Sequence, residues 1–167
     1  MKFKQTLMFR KSAGFTLIEI LVVVGIFLVS FSIAALTIYQ PQGKASLSTT
    51  VVSLVSDLQH QQLKSMLGES EGATTAQTFG IHFESATYTL FRGSTYSSSD
   101  SDNFVVNLGQ NVIFSNVTFP SSQVVFNRLN GEVSGFNTGQ ASVTIQNTVS
   151  NEQQTVTLNK YGVPSIQ

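Results

Sequence analysis

The chain has 167 residues, room for one domain of ordinary size with an extension. It contains no cysteine, which excludes a disulfide framework and any thiolate-bound metal. Charged residues make up 11% and the formal net charge is zero, but the distribution is uneven. Lys2, Lys4, Arg10 and Lys11 precede residue 15 with no acid among them, whereas from Phe15 onward five basic residues face nine acidic ones, a net of −4. A basic head, an apolar run and a mildly acidic body predict membrane insertion with the head held on the cytoplasmic side.

The apolar run extends from Phe15 to Tyr39, and Glu19 is its one formally charged side chain. At about 1.5 Å per residue, a helix of this length crosses a hydrocarbon core of roughly 30 Å. Three plans share this pattern. A cleaved secretory signal requires a small-residue site after the run, and AALTIYQPQG offers an imperfect one. A plain signal anchor accounts for the length and the basic flank but gives no reason for Glu19, since a carboxylate at the centre of a bilayer costs about 2.5–3.5 kcal/mol. The third plan cleaves ahead of the run, between Gly14 and Phe15.

The stretch KSAGFTLIEILVVV, residues 11–24, resembles the N-terminus of a type IV prepilin. The resemblance implies that residues 1–14 are a leader, that a prepilin peptidase cuts after Gly14 and N-methylates Phe15, and that Glu19 serves assembly. Residues 15–40 then form a transmembrane and assembly helix, and residues 41–167 a periplasmic domain. Physical chemistry gives Glu19 its use. Cleavage leaves a cationic amine on Phe15, and Glu19 lies one helical turn away. In a filament of packed helices the carboxylate of one subunit pairs with the amine of a neighbour, and pairing offsets the cost of burying it. Gly25, Ser30, Ser32, Ala34 and Ala35 permit close helix approach.

Pro41, followed by Gly43, predicts a kink or break in the helix. A second helical pattern covers residues 44–67. Leu47, Val51, Leu54, Val55, Leu58, Gln62 and Met66 recur at three- and four-residue steps and define its packing face. Leu67-Gly68 reads as its stop.

Residues 78–167 are β-rich. Phe79–Phe83 and Tyr88–Arg92 read as a hairpin around Glu84-Ser85-Ala86. Further strands are predicted at Phe104–Leu108, Val112–Phe114, Val124–Phe126, Ala141–Gln146 and Thr155–Leu158, with Asn130-Gly131 as a tight turn. Short connections favour antiparallel sheets. The loop Gly93–Asn103 reads as polar and mobile. The fold class is therefore α+β and pilin-like, a long N-terminal helix packed on antiparallel β-sheets.

The order of helix, GIHF…YTLFRG hairpin, VVFNRLNGEV and closing TLNKYG resembles the GspH/FimT type of minor pilin and pseudopilin. The partners this implies are other pilin or pseudopilin subunits, the prepilin peptidase, an inner-membrane assembly platform and membrane lipid. The function implied is that of a minor structural subunit of a type IV pilus or type II secretion pseudopilus. A major subunit is the alternative within the family, although the C-terminal disulfide common in major pilins is impossible here. A DNA-binding minor pilin is the second class to weigh. Such proteins use arginines near the C-terminus, where this chain carries Lys160 alone, and Arg92 and Arg128 are isolated along the sequence. Phosphate binding needs clustered positive charge, so nucleic acid is not an expected partner.

No catalytic, cofactor or metal site is expected. His60 and His82 are separate and read as structural histidines. No nucleophile elbow, P-loop or dinucleotide fingerprint is present. Asp100, Asp102 and Asn103 gather oxygens that suit calcium, but such runs are commonly solvated turns.

Overall fold

The computed structural model describes residues 15–72 and 74–167, and for residues 33–45 the backbone alone. One long helix, α1 (Leu17–Leu67), leads into β1 (Phe79–Phe83), β2 (Thr87–Arg92), β3 (Phe104–Asn107), β4 (Val112–Val117), β5 (Gln123–Phe126), β6 (Ser142–Asn147), β7 (Gln153–Leu158) and β8 (Pro164–Ile166). The arrangement is α+β. The chain divides into two compact units, Met1–Tyr39 and Gln40–Gln167.

α1 runs through Pro41 and Gly43 without interruption, so the break expected at Pro41 and the fresh start near Lys44 are absent. A proline inside a helix removes one backbone hydrogen bond and crowds the preceding turn, about 3 kcal/mol. Helical turns continue on both sides of it, and those beyond Ser46 are held by a core. In the first unit every large apolar side chain of α1 from Leu17 to Phe31 is exposed. Among the described residues no helix is long and apolar enough to cross a membrane. The span expected over residues 15–40 includes 33–40, whose side chains lie outside the described residues.

In the second unit Leu47, Val51, Leu54 and Leu58 step by four, three and four residues and are buried, which places them on one helical stripe. Past Leu58 the stripe turns polar. Gln61 and Ser65 are buried, whereas Met66, expected on this face, is exposed. Ser65 Oγ accepts the Phe79 N–H at 2.9 Å and so seats the first strand on the helix. Gln62, beside the stripe, donates to the carbonyls of Gly131 at 2.9 Å and Tyr161 at 2.6 Å, tying two loops to α1. Close approach requires glycine at both loops. A Cβ on Gly131 would lie 2.7 Å from Met66, and one on Gly162 would lie 2.4 Å from Gln62. The helix stops where expected. Gly68 is left-handed at φ +67, its N–H bonds the Ser65 carbonyl, and the Glu69 N–H bonds the Lys64 carbonyl. This is the paired closure of a Schellman motif.

The strands form two antiparallel sheets, ordered β3-β2-β1-β5 and β4-β6-β7-β8. The first hairpin pairs Phe83 with Tyr88, as the Glu84-Ser85-Ala86 turn predicts. β4 leaves its sequence neighbours for the second sheet, where its pairing with β6 shifts register between Phe114 and Asn116. β8 was not expected. It begins with Pro164 at the edge beside β7, a position that tolerates a missing N–H. One core joins both sheets and α1. Ile81, Phe83, Tyr88, Val124 and Phe126 come from the first sheet, and Phe114, Val143, Ile145, Val156 and Leu158 from the second. Phe83 meets Phe114 edge-on at 5.3 Å between ring centroids, so aromatic packing links the sheets. Tyr88 donates its hydroxyl to Asp57 of α1 at 2.6 Å, which satisfies a buried polar tip. Burial and that carboxylate push the Tyr88 pKa up.

Candidate functional site

The candidate site is the start of α1. Gly14 lies outside the described residues. Phe15 and Thr16 precede the helix, and Phe15 is 80% exposed. Thr16 is the cap. Its carbonyl receives the Ile20 N–H at 3.3 Å, the first intrahelical bond, and also the Glu19 N–H at 3.1 Å. Its Oγ1 accepts the Glu19 N–H at 3.3 Å. The Glu19 N–H is thus shared between the carbonyl and the hydroxyl of Thr16, a bifurcated bond in the first turn.

Glu19 is exposed in the first turn, where the positive end of the helix dipole favours a carboxylate by about 0.3–1 kcal/mol. Phe15, Glu19, Ile20, Val23 and Val24 line one shallow cleft. Phe15 just before the cap and Ile20 just after Glu19 occupy the two places of a hydrophobic staple. The segment FTLIEI therefore specifies where α1 begins. Reading by charge singles out Glu19 and passes over Thr16, although Thr-x-x-Glu before an apolar run is itself a helix-start signature. Gly25 has open space on its Cα, and Ser32 turns its hydroxyl back to the Leu28 carbonyl at 2.9 Å. The side chains of Ala34 and Ala35 lie outside the described residues.

The second unit's candidates are engaged within the fold. His60 is exposed on α1. The His82 ring stacks on Tyr96, with centroids 4.0 Å apart and planes 8° from parallel. Burial lowers the His82 pKa from 6.5, opposed by the nearby Glu84 carboxylate. The loop Gly93–Asn103, expected to be mobile, is tethered. Tyr96 anchors it through the stack and by donating its N–H to Gln123 at 3.0 Å. Asp102 pairs with Arg92 at 2.5 Å, Asp100 accepts the Asp102 N–H at 3.0 Å, and Asn103 donates to the Ser97 carbonyl at 2.7 Å. Carboxylate oxygens of Asp100 and Asp102 are thus engaged in closing the loop, whereas Asn103 Oδ1 is buried without a hydrogen-bond partner. Among the described residues no group of three or more histidines or carboxylates is placed to hold a metal ion. Among the described residues the lysines and arginines are dispersed and engaged: Lys64 with Glu71, Arg92 with Asp102, Arg128 with the Ala76 carbonyl at 2.9 Å, and Lys160 with Glu132 at 3.7 Å.

Against this geometry, the start of α1 is where a sequence family intersects the chain. Residues 9–35 match the prokaryotic N-terminal methylation motif. The motif is typical of type IV prepilin-like proteins and supports a pilin-like, membrane-anchored structural protein. It implies processing by a prepilin peptidase and assembly with other pilin subunits. The matched stretch contains Gly14, Phe15, the Thr16 cap and Glu19. No curated protein and no solved structure matches the chain.

Proposed function

We propose that this chain is a minor structural subunit of a type IV pilus or type II secretion pseudopilus, not an enzyme. The observation that carries the reading is the methylation motif over residues 9–35, with Gly14, Phe15 and Glu19 at the spacing of a processed and assembled pilin. Residues 1–14 form the leader, residues 15–40 the membrane and assembly helix, and residues 41–167 the periplasmic domain. Hydrolysis after Gly14 leaves a carboxylate on the leader and an ammonium on Phe15, which stays cationic when N-methylated. The subunit waits in the inner membrane and is then drawn into a filament. There Glu19 of one subunit meets the Phe15 amine of a neighbour and favours a single axial stagger. The uncovered apolar surface of α1 supports this reading, because a helix apolar on all sides needs an apolar medium or partner helices around it.

Mass spectrometry of the N-terminal peptide tests the proposal. The mature chain is expected to start at N-methylated Phe15, and Gly14→Leu to block the cut. A chain that still starts at Met1, or one that starts beyond residue 35, sinks it.

A further inference from the structure

We propose that the outer edge of β3 binds an extended segment of a partner polypeptide, which adds to the four-stranded first sheet as a further strand. The edge belongs to the second unit and is independent of leader processing.

The two sheets end in β3, β5, β4 and β8, and three of these edges are guarded. β5 is covered through a bridge between Phe126 and Val133 and a bond from the Ser134 N–H to the Val125 carbonyl at 2.8 Å. β4 shifts register between Phe114 and Asn116, and its Phe114 N–H bonds the Ser85 carbonyl at 2.9 Å. β8 is three residues long and begins with Pro164. Bulges, proline and covering chain are the devices by which sheets avoid unwanted pairing. β3 has none of them among the described residues. Its sequence FVVN is uncharged and pairs with β2 in unbroken register. The Leu108 N–H bonds the Ala86 carbonyl at 3.0 Å, which fixes the alternation of the ladder. Phe104 and Val106 therefore direct their backbone groups to β2, whereas Val105 and Asn107 direct theirs outward. Phe104 and Val105, 64% and 55% exposed, flank this edge on opposite faces.

Two clefts lie between β3 and α1. One, about 380 Å³, is lined by Ser46, Thr50, Ser53, Val106 and Leu108. The other, about 250 Å³, is lined by Gln61, Glu71, Leu90, Asp102 and Phe104. Phe104 and Val106 stand about 7 Å apart along the strand, so alternate side chains of an added strand reach the two clefts. Main-chain bonds give such pairing its affinity, and side-chain clefts give it specificity. The first cleft suits an aliphatic side chain. The second makes a sharper demand. Glu71 pairs with Lys64 and Asp102 with Arg92, so its charge is balanced. Gln61 is 2% exposed, and its Oε1, an acceptor, has no hydrogen-bond partner. The amide of a glutamine or asparagine is a neutral donor that matches it. The occupant is thus an extended segment with an aliphatic and an amide residue two positions apart.

The probe is the labelled peptide TVTLTQTV, titrated into the full chain in detergent micelles and read by fluorescence anisotropy. Saturable binding is expected, with new protection of the Val105 and Asn107 amides from hydrogen exchange. N-methylation of alternate peptide residues, which blocks the bonds to β3, should weaken binding about tenfold. Val105→Pro should do the same, because it removes an outward N–H and leaves the β2 ladder intact. If that variant unfolds by circular dichroism, the N-methylated peptide against the native chain decides. Glutamate in place of the peptide's glutamine should weaken binding several-fold, and Gln61→Leu should abolish that difference. No saturable binding at millimolar peptide overturns the inference. So does binding that survives N-methylation and leaves both amides unprotected, which marks a peptide held by the micelle or by apolar surface elsewhere. Self-association that Val105→Pro abolishes, without peptide binding, makes a second copy the occupant and also overturns it.

Discussion

α1 contains two apolar stretches with opposite fates. From Leu17 to Phe31 large apolar residues occupy every side of the helix, and all are exposed. From Leu47 to Leu58 they gather on one buried stripe, Leu47, Val51, Leu54 and Leu58, with Val55 half-buried beside it and Val52 exposed, while Ser48, Thr49, Ser53, Ser56 and Gln59 face solvent. A stripe can be covered by two small sheets, and here it is. A helix that is apolar all round cannot be covered by one face of a domain this size, so whatever covers it comes from outside the chain. Composition alone does not separate the two stretches; the angular spread of the apolar residues does.

The comparison breaks most directly by cutting between the stretches. A chain beginning at Gln42 is expected to remain in solution and fold, with mixed helix and strand by circular dichroism, while the full chain stays with the membrane fraction. An insoluble or unfolded fragment would show that the second stretch depends on the first.

Within the fragment, Leu54→Ala removes a fully buried side chain at the centre of the stripe. The expected loss is about 2–5 kcal/mol of unfolding free energy by denaturant titration. Val52, one step away in sequence but 65% exposed, is the control. Its replacement by alanine should change stability by less than about 0.5 kcal/mol. Equal effects would mean the stripe is misplaced.

On the first stretch the informative change is Glu19→Leu. Insertion and cleavage should persist, because the Thr16 cap bonds the backbone of residue 19 and leucine suits the apolar run. Co-purification with partner subunits should fall several-fold, the scale of one lost charge pairing of about 1–2 kcal/mol. Unchanged co-purification would leave Glu19 as a helix-start residue only.

The smallest expected effect tests the tether in the second unit. Burial lowers the folded-state pKa of His82, so below its ordinary value of 6.5 the unfolded chain binds the proton first. The contribution of neutral His82 is present above that pH and is lost as pH falls through the depressed folded-state pKa. The thermal midpoint of the fragment should therefore decline slightly as pH falls below 6.5, and His82→Gln should flatten that decline. Glu84, which opposes the shift, faces the same ring, and Glu84→Gln should steepen it. A slope indifferent to both changes would place the acid sensitivity elsewhere.

Much of this organisation was legible before any coordinates. The three-and-four spacing of Leu47, Val51, Leu54 and Leu58, the glycine stop at Gly68, the β1–β2 hairpin and the motif around Gly14, Phe15 and Glu19 are all local patterns. They depend on a few neighbouring residues, and helix phase, strand alternation and turn chemistry act over that range. The Thr16 cap is equally local, since Thr-x-x-Glu ahead of an apolar run is itself a helix-start pattern.

Other features depended on segments far apart in the chain. Only the tertiary structure put β4 in the second sheet, added Pro164–Ile166 as an edge strand and carried α1 through Pro41. It also turned Gln61 and Ser65 inward in place of Met66, and Ser65 there supplies the acceptor for the Phe79 N–H. Asp102 was a candidate calcium ligand by sequence and became the partner of Arg92, ten residues away, once the loop between them closed. Local sequence determines which groups want partners. Which partner each one finds is decided when chain closure brings distant donors and acceptors within about 3 Å, a distance that no spacing along the sequence encodes.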